Sequence, residues 1–565
     1  MSIQEPMTET AMTGPQVLDW LKANTSISTG TGPTGSTIGN MSGSTIGNMS
    51  GNTTGSMSGN TTGSTVTSAN LSSDTRSLLP GDVFLAFPLQ GAGDGRNHIA
   101  DAIARGAAAV LFDPAQFTWQ AEWTVPHLAI SDLCQRAGAI ANDWYAQPDQ
   151  AMLTVAVTGT NGKTSCALWL GRCLSRTAPA GVIGTLGVAL MQKGDGEFQP
   201  TGYTTPDAVL LQKSLAQLRD AGAQALAIEA SSIGLAQGRL NGMHVDIAVF
   251  TNLTRDHLDF HGDMATYEAT KVRLFDWPGL RHAIVNLDDA MGVRLVQHLQ
   301  NLQQQPGKLQ SAILGYSLAD EATLATLVPG LQGVPVLRAS NLKSRALGTE
   351  FHLDSPYGSS QVKTRMVGQF NVSNVLGVLG ALLASGMDLA AAVKAVEAVQ
   401  PAPGRMQALG GQDAPLVVVD YAHTPDALEK TLNALRPVAQ ERGGQLWCVF
   451  GCGGDRDPGK RPQMGKVAQL ADQIVVTSDN PRSEEPQQIL AHILAGIERA
   501  ASTIEDRAAA ILSAIKQAGK TDVVLIAGKG HEPYQEVRGK KLPFSDVEQA
   551  SLALATRPTM KRANP

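Results

Sequence analysis

The chain has no excess of positive charge, no cysteine framework and no long apolar run, and each absence removes a class of protein. Its 565 residues carry 44 Lys and Arg against 50 Asp and Glu, a net charge of −6. Nothing therefore draws it in bulk to nucleic acid or an anionic membrane, although a local basic pocket for phosphate stays open. The five cysteines, Cys134, Cys166, Cys173, Cys448 and Cys452, are odd in number and scattered. That argues against a disulfide scaffold and for a reducing compartment. Cys448 and Cys452 have the spacing of a metal hairpin, but no second Cys/His pair stands nearby, so a buried strand cysteine and a loop cysteine are expected. The N-terminal stretch mixes Glu5, Glu9, Asp19 and Lys22 without a basic-then-apolar pattern, which predicts no signal peptide. No apolar run reaches the roughly 20 residues that a membrane span requires. The expectation is a soluble, cytoplasmic protein with no nucleic-acid partner and no membrane insertion, working as a monomer.

A chain this long exceeds one core, so two to four domains are expected. Residues 28–70 stand apart: from Ser36 the text runs STIGNMSG, STIGNMSG, NTTGSMSG, NTTGSTVT. This octapeptide repeat offers too little apolar surface to offset its ordering entropy, which predicts a disordered insert rather than the alternative, a short β-solenoid. A turn and strand follow over Leu78–Phe87, then a helix over Ile99–Gly106 and a strand over Ala108–Phe112, which make a small α/β domain. Gln147-Pro148-Asp149-Gln150 is its linker.

Beyond that linker one pattern recurs: a short, wholly apolar run stops at a polar or Gly-rich cluster. Leu153–Val157, Ala225–Ile228, Ile247–Phe250, Leu416–Val419, Leu446–Phe450, Ile474–Val476 and Val523–Ile526 all behave so. Runs apolar on both faces suit parallel strands covered by helices, and ligands gather at the carboxyl ends of such strands. With Gln400-Pro401-Ala402-Pro403-Gly404 as a divider, the pattern predicts three α/β domains: 1–150, a mainly parallel 151–402, and a Rossmann-like 403–565.

The sharpest motif is Val157-Thr158-Gly159-Thr160-Asn161-Gly162-Lys163-Thr164-Ser165 at a strand–helix junction. Glycines let backbone amides wrap phosphate oxygens, Lys163 supplies charge, and Thr164 can ligate Mg²⁺. The general phosphate loop wants Gly where Val157 stands, so this is a shortened variant with Gly159 making the turn.

That variant resembles the ATP loop of the Mur ligase family, which also includes folylpolyglutamate synthetases. Further segments match in order: Tyr203-Thr204-Thr205-Pro206-Asp207, Glu229-Ala230-Ser231-Ser232, Asn252 to His261, Tyr267 to Lys271, Gly368-Gln369-Phe370-Asn371, Gly404-Arg405-Met406, Asp420 to Pro425 and Gly453 to Asp457. The resemblance implies an ATP-dependent ligase that phosphorylates a carboxylate and lets an amine attack the acyl phosphate. It implies meso-diaminopimelate joined to UDP-MurNAc-L-Ala-D-Glu in cell-wall precursor synthesis, with L-lysine or a folylpolyglutamate-type substrate as alternatives. By resemblance, Gly159, Thr160, Asn161, Gly162, Lys163, Thr164, Ser165, Asn371, Arg405 and Asp420 bind ATP, and Lys163, Lys271 and His257 are catalytic. Thr164, Glu229, His257 and Lys271, the last as a CO₂-derived carbamate, hold Mg²⁺. Taken alone, Glu229 could cap a helix and Lys271 could lie on a solvated face.

The muramoyl peptide falls to Tyr203, Thr204, Thr205, Ser231, Gln237 and Arg239; Ile233 stands where many members have His and is left out. The uracil end falls to the first domain, at Ser73 and Thr75 and around Gly91 to Arg96. The amino acid falls to Arg456, Asp479, Asn480, Pro481 and Arg482, and to Gly528 and Glu532 of Gly528-Lys529-Gly530-His531-Glu532. Arg482 can fork on the second carboxylate that diaminopimelate has and lysine lacks, or can form a strand-end salt bridge. A GTPase reading needs Asn-Lys-x-Asp, and Asn286-Leu287-Asp288-Asp289 lacks the lysine.

Overall fold

Each apolar run that ends in a polar cluster becomes a strand whose last residue reaches that cluster. In the computed structural model these strands are Leu153–Thr158, Ala225–Glu229, Ile247–Phe250, Leu416–Asp420, Leu446–Phe450, Gln473–Val476 and Val523–Ala527. The structure describes residues 14–24, 69–89, 93–305, 311–327, 333–345, 348–411 and 413–557. The octapeptide repeat, with the expected insert up to residue 68, and Gly91 and Ala92 lie outside the described residues.

The chain divides into two compact units, Met1–Trp144 and Tyr145–Pro565. In the first, a parallel sheet in the order Leu71–Ser72, Val83–Ala86, Ala109–Phe112, His127–Ala129 packs Phe84, Val110 and Phe112 against Ile99 and Ala102 of the helix Ile99–Ala104. The turn before the second strand is tied by the buried Asp82 carboxylate, which accepts from the amides of Asn70 and Leu79, both at 3.0 Å.

The second unit holds two sheets. The larger has ten strands, and Leu153–Thr158 lies between Ile247–Phe250 and Ala225–Glu229, parallel to both. Val155 and Val157 face one side, against Trp169 and Leu170 and the helix Gln369–Ala384; Ala156 faces the other, against Leu211 and Leu215. Burial on both faces is why these strands read as unbroken apolar runs. Chain order leaves Leu153–Thr158 toward one edge and later resumes on its other side, which opens a crevice at its carboxyl end. One edge is an antiparallel meander, Val336–Arg345, Gly348–Ser355 and Gly358–Thr364, that the run pattern did not foresee. Along Gly348–Ser355, Phe351 and Leu353 are buried while their neighbours are half-buried, an alternation of period two rather than a continuous run.

The smaller sheet runs Gln407–Gly410, Leu416–Asp420, Val523–Ala527, Leu446–Phe450, Gln473–Val476, Ser502–Thr503, all parallel except the first pairing. Among the described residues no helix is long and apolar enough to cross a membrane.

Candidate active site

The loop after Leu153–Thr158 is shaped from the next strand over. Thr160 N donates to Asn252 O (2.8 Å), Asn161 N to Asn252 Oδ1 (3.0 Å), and Thr251 Oγ1 to Asn161 O (2.6 Å). Two glycines are obligatory. At Gly159, with φ +145°, a Cβ would overlap the Thr251 hydroxyl; at Gly162, with φ +90°, it would lie 2.5 Å from Asn374 Oδ1. Lys163 Nζ donates to the carbonyls of Gly159 and Thr160, both at 2.9 Å, and Lys271 Nζ donates to the same Gly159 carbonyl at 2.9 Å.

Lys271 is 1% exposed at the end of the helix Met264–Val272, so the solvated-face alternative is wrong. Burial, reinforced by the Lys163 charge, holds its ammonium well below the ordinary lysine range. Burial also lowers Lys163. Tyr267, fully buried one turn earlier, brings its hydroxyl to 3.1 Å from Thr160 Oγ1 and its ring to 4.5 Å from Lys271 Nζ.

Glu229 ends its strand beside this loop. Its Oε2 accepts from Thr164 Oγ1 (3.0 Å) and Thr185 Oγ1 (3.3 Å), and its Oε1 from Thr185 N (2.7 Å). It caps no helix: Ser231 does, accepting from Gly234 N at 3.0 Å. Burial raises the Glu229 carboxyl against the pull of Lys163. His257, at φ +54°, has its Nε2 3.6 Å from Asp256 Oδ2, and His423 Nε2 approaches the same oxygen at 3.7 Å. Desolvation pushes His257 down to about 4 despite Asp256.

Among the described residues no three His, Cys, Asp or Glu side chains cluster as a ready metal site. The donors still suit a hard cation at one position, where the Thr164 hydroxyl and Glu229 carboxylate already meet. A cation near His257 would need more oxygen donors than the histidine offers.

From Glu229 a polar chain continues outward. Thr205 Oγ1 donates to Glu229 O (2.7 Å) and lies 2.9 Å from Ser231 Oγ; Thr204 Oγ1 lies 3.1 Å from Thr185 Oγ1. Arg239 donates to Thr205 O (2.6 Å) and Gln237 Oε1 (2.9 Å), and its guanidinium lies 5.3 Å from the Tyr203 ring centre. In the other direction, Asn161, Gly162, Ser165, Asn371, Arg405 and Asp420 line one cavity of about 570 Å³ between the two sheets, with Met366, Phe370 and Pro437 as apolar wall. Asp420 is buried and accepts from Met406 N (2.8 Å) and Ala422 N (3.0 Å). Arg405 stacks 4.2 Å from the Tyr421 ring centre and reaches Thr164 Oγ1 at 3.3 Å.

The strand ends of the smaller sheet gather the rest. Asp479, Asn480 and Pro481 are buried, and Gln535 Nε2 donates to Asp479 O (2.6 Å). Arg482, at φ +53°, donates through Nη1 to Gly454 O (2.7 Å), with Nε 3.4 Å from Glu536 Oε2, so the strand-end salt bridge is present. Gly528 N donates to Asp420 O (3.1 Å), and Asn480 Nδ2 to Glu532 Oε2 (2.8 Å). Arg456 Nη1 donates to its neighbour's carbonyl, Asp455 O, at 3.2 Å. Ser73 and Thr75 belong to the first unit, half-buried after the strand Leu71–Ser72.

Thr185, Tyr267, Tyr421 and Lys529 were given no role from sequence. Tyr267, Tyr421 and Lys529 stand inside quoted motifs, which was the available signal; Thr185, in the turn after Ala180–Gly184, had none.

The chain matches the Mur ligase middle domain over residues 157–382 and the Mur ligase, glutamate ligase domain over residues 404–530. It is 62% identical over 494 residues to a UDP-N-acetylmuramoyl-L-alanyl-D-glutamate–2,6-diaminopimelate ligase of Janthinobacterium sp. (strain Marseille), covering 86% of this chain and 94% of the relative. A ligase of the same name from Ralstonia nicotianae is 51% identical over 497 residues, covering 86% and 93%. A solved structure of a ligase of that name aligns with TM-score 0.57 and 37% identity, over 86% of this chain and 94% of that one. The fold is shared with MurF ligase from Thermotoga maritima in complex with ADP, at TM-score 0.57 and 16% identity over 86% and 97%. The chain belongs to the Mur ligase family, and is an ATP-dependent ligase.

Proposed function

We propose that this ligase joins meso-diaminopimelate to UDP-MurNAc-L-Ala-D-Glu in the cytoplasm as a monomer, during synthesis of the peptidoglycan precursor. The observation that carries the reading is the unbroken polar line from Arg239 through Thr205, Glu229 and Thr164 to the Gly159 loop and its cavity. It joins a place for an acidic peptide to a place for a nucleoside triphosphate. The names of the two relatives at 62% and 51% identity supply the particular acceptor and amine.

In this scheme residues 1–150 hold the UDP end, with Ser73 and Thr75 at the uracil. Residues 151–402 hold ATP and the dipeptide, and 403–565 the amino acid. The nucleotide lies along the cavity, touched by Asn371, Arg405 and Asp420, and its phosphates displace the Gly159 and Thr160 carbonyls from Lys163. The terminal phosphoryl passes to the D-glutamyl side-chain carboxylate, with ADP leaving. The amine of diaminopimelate attacks that acyl phosphate, and phosphate departs as the amide forms. Mg²⁺ held at Thr164 and Glu229 would offset the phosphate charge.

Lys271 carries a carbamate in this reading. An amine whose protonation is disfavoured by desolvation and Lys163 is the nucleophile that CO₂ requires; the unprotonated amine forms a nitrogen–carbon bond, one proton leaves, and the product is an anionic oxygen ligand. A carbamate carbon signal from protein equilibrated with labelled bicarbonate, absent in Lys271→Ala, tests this apart from turnover. Phosphate release from ATP with UDP-MurNAc-L-Ala-D-Glu tests the reaction: meso-diaminopimelate should trigger it and L-lysine should not. Release triggered by lysine alone would refute the choice of amine.

A further inference from the structure

Behind Glu532 stands a lysine that no part of the reaction above uses. Lys529 is 0% exposed, and its Nζ donates to Asn480 Oδ1 and Glu532 Oε2, both at 2.9 Å. Asn480 Nδ2 closes the triangle on Glu532 Oε2 at 2.8 Å. The orientation of the Asn480 amide is settled by its partners, because its oxygen also accepts from Glu536 N at 2.9 Å. Two donors thus converge on one carboxylate oxygen. Among the described residues the other, Oε1, has the Tyr421 hydroxyl alone, at 3.4 Å, a long contact for a hydroxyl donor.

We infer that Lys529 is a positioning residue for the amino-acid substrate: it clamps Oε2 of Glu532 so that Oε1 faces the ammonium of the incoming amino acid. The inference rests on the proposed amino-acid pocket and adds a residue to it. The physical case is one of pairing. A carboxylate in a half-buried pocket costs several kcal/mol unless charge and hydrogen bonds are supplied before ligand arrives. Lys529 and Asn480 supply both on one edge, which leaves an oriented acceptor on the other. Lys529 itself is shut off from solvent, so its influence on a ligand passes through the groups it holds, Glu532 and with it Asn480.

The test uses the full-length enzyme, steady-state constants for each substrate, and a double-mutant cycle. Lys529→Met should raise the Michaelis constant for the amino acid about tenfold or more, while that for ATP stays within about twofold, as expected for a lost charge-assisted clamp. Lys529→Arg, which keeps a donor cation, should recover part of the loss. On a Glu532→Gln background the same Lys529→Met change should cost less than about threefold, because the two residues act as a unit. An unchanged amino-acid constant in Lys529→Met overturns the inference. So does a rise in both substrates' constants that persists undiminished in Glu532→Gln, which would make the lysine merely structural. If Lys529→Met does not fold, Asn480→Ser decides: losing one of two donors to Oε2 should raise the amino-acid constant about threefold, and no change overturns the inference. The wild-type amino-acid preference is measured first. Should lysine prove the substrate, the choice of diaminopimelate fails while the Lys529–Glu532 coupling is still read with lysine.

Discussion

The two ends of the larger unit keep their cations in opposite states. At the Gly159 loop Lys163 is half-buried and Lys271 buried; both are lowered in pKa and bonded to backbone carbonyls, and neither has an ion-pair partner among the described residues. At the strand ends of the smaller sheet three buried cations are already matched: Lys529 with Glu532, Arg461 with Glu484 and Arg507 with Asp546. The first arrangement suits a ligand that brings several negative charges, since phosphate replaces weak carbonyl contacts with strong ones. The second suits a zwitterion, whose own charges balance, so that recognition comes from the direction of each group rather than from net charge. Two neighbouring sites on related sheets thus select by charge at one end and by geometry at the other.

The hardest test of the first half is Lys271. Lys271→Ala should lower phosphate release by several kcal/mol of barrier, about a thousandfold, because a metal-ligand position vanishes. Added acetate should restore part of the rate by occupying the vacated oxygen positions. The pH dependence has a definite sign. Lys271 is neutral above its depressed folded pKa and takes a proton as pH falls through it, so the bicarbonate needed for half-maximal activity should rise toward acid. A wild-type rate in Lys271→Ala would end the contrast, for the lysine would then be a buried structural cation like those of the other end.

The matched cations of the smaller sheet predict loss of stability instead. Arg507 and Asp546 are both fully buried at 2.7 Å, and Arg507 also donates to the carbonyls of Ser478 (3.4 Å) and Ala527 (2.9 Å). Asp546→Ala leaves that guanidinium charged and unpaired, a cost of about 3–5 kcal/mol. Denaturant unfolding should show it as a lower midpoint. A shift below about 1 kcal/mol would mean that water or a rearranged partner satisfies Arg507.

Arg482→Ala should act on selection. If the guanidinium forks on the distal carboxylate of diaminopimelate, its loss costs about 2–5 kcal/mol and raises that substrate's Michaelis constant at least about thirtyfold. Constants for ATP and the UDP substrate should stay put. Lysine, a poor substrate throughout, should lose much less. If the ratio of the two specificity constants is unchanged, Arg482 serves only its bond to Gly454 and its pair with Glu536.

How much of this could be read from the sequence follows the range of the interactions. Ile247–Phe250 and Leu446–Phe450 match their apolar runs residue for residue, because two-faced burial is written into consecutive positions. The Gly159 loop was equally local: its glycines, lysine and threonine lie within six residues. The meander from Val336 to Thr364 escaped because one-faced strands alternate and leave no run. Thr185 escaped because its role exists only through Glu229, 44 residues later. Lys529 and Tyr421 stood in recognised motifs, but the bonds that give them meaning span 49 and 111 residues, to Asn480 and Glu532. Arg482 was legible as a residue type, whereas its existing pair with Glu536 was not, since that pairing depends on a hairpin 54 residues on.

One ion pair bridges the two ends and should matter least. Arg255 precedes Asp256 at the loop side, Asp457 belongs to the smaller-sheet side, and their Nη2–Oδ2 distance is 2.9 Å. Both Arg255 nitrogens fall on the one oxygen Oδ2, whereas Arg507 forks on both oxygens of Asp546, and the Arg255 side chain is 48% exposed. Water therefore screens the attraction, and ordering the long Arg255 side chain offsets most of what remains. Arg255→Gln should change unfolding free energy by less than about 1 kcal/mol, and added salt should shrink even that difference. The comparison with Asp546→Ala sets an exposed, single-oxygen contact against a buried fork at similar distance. If Arg255→Gln instead destabilised as much as Asp546→Ala, or lowered turnover tenfold with stability intact, burial would not be what separates the pairs. The contact would then be a latch between the sites, and the two ends would have to be treated as one coupled device.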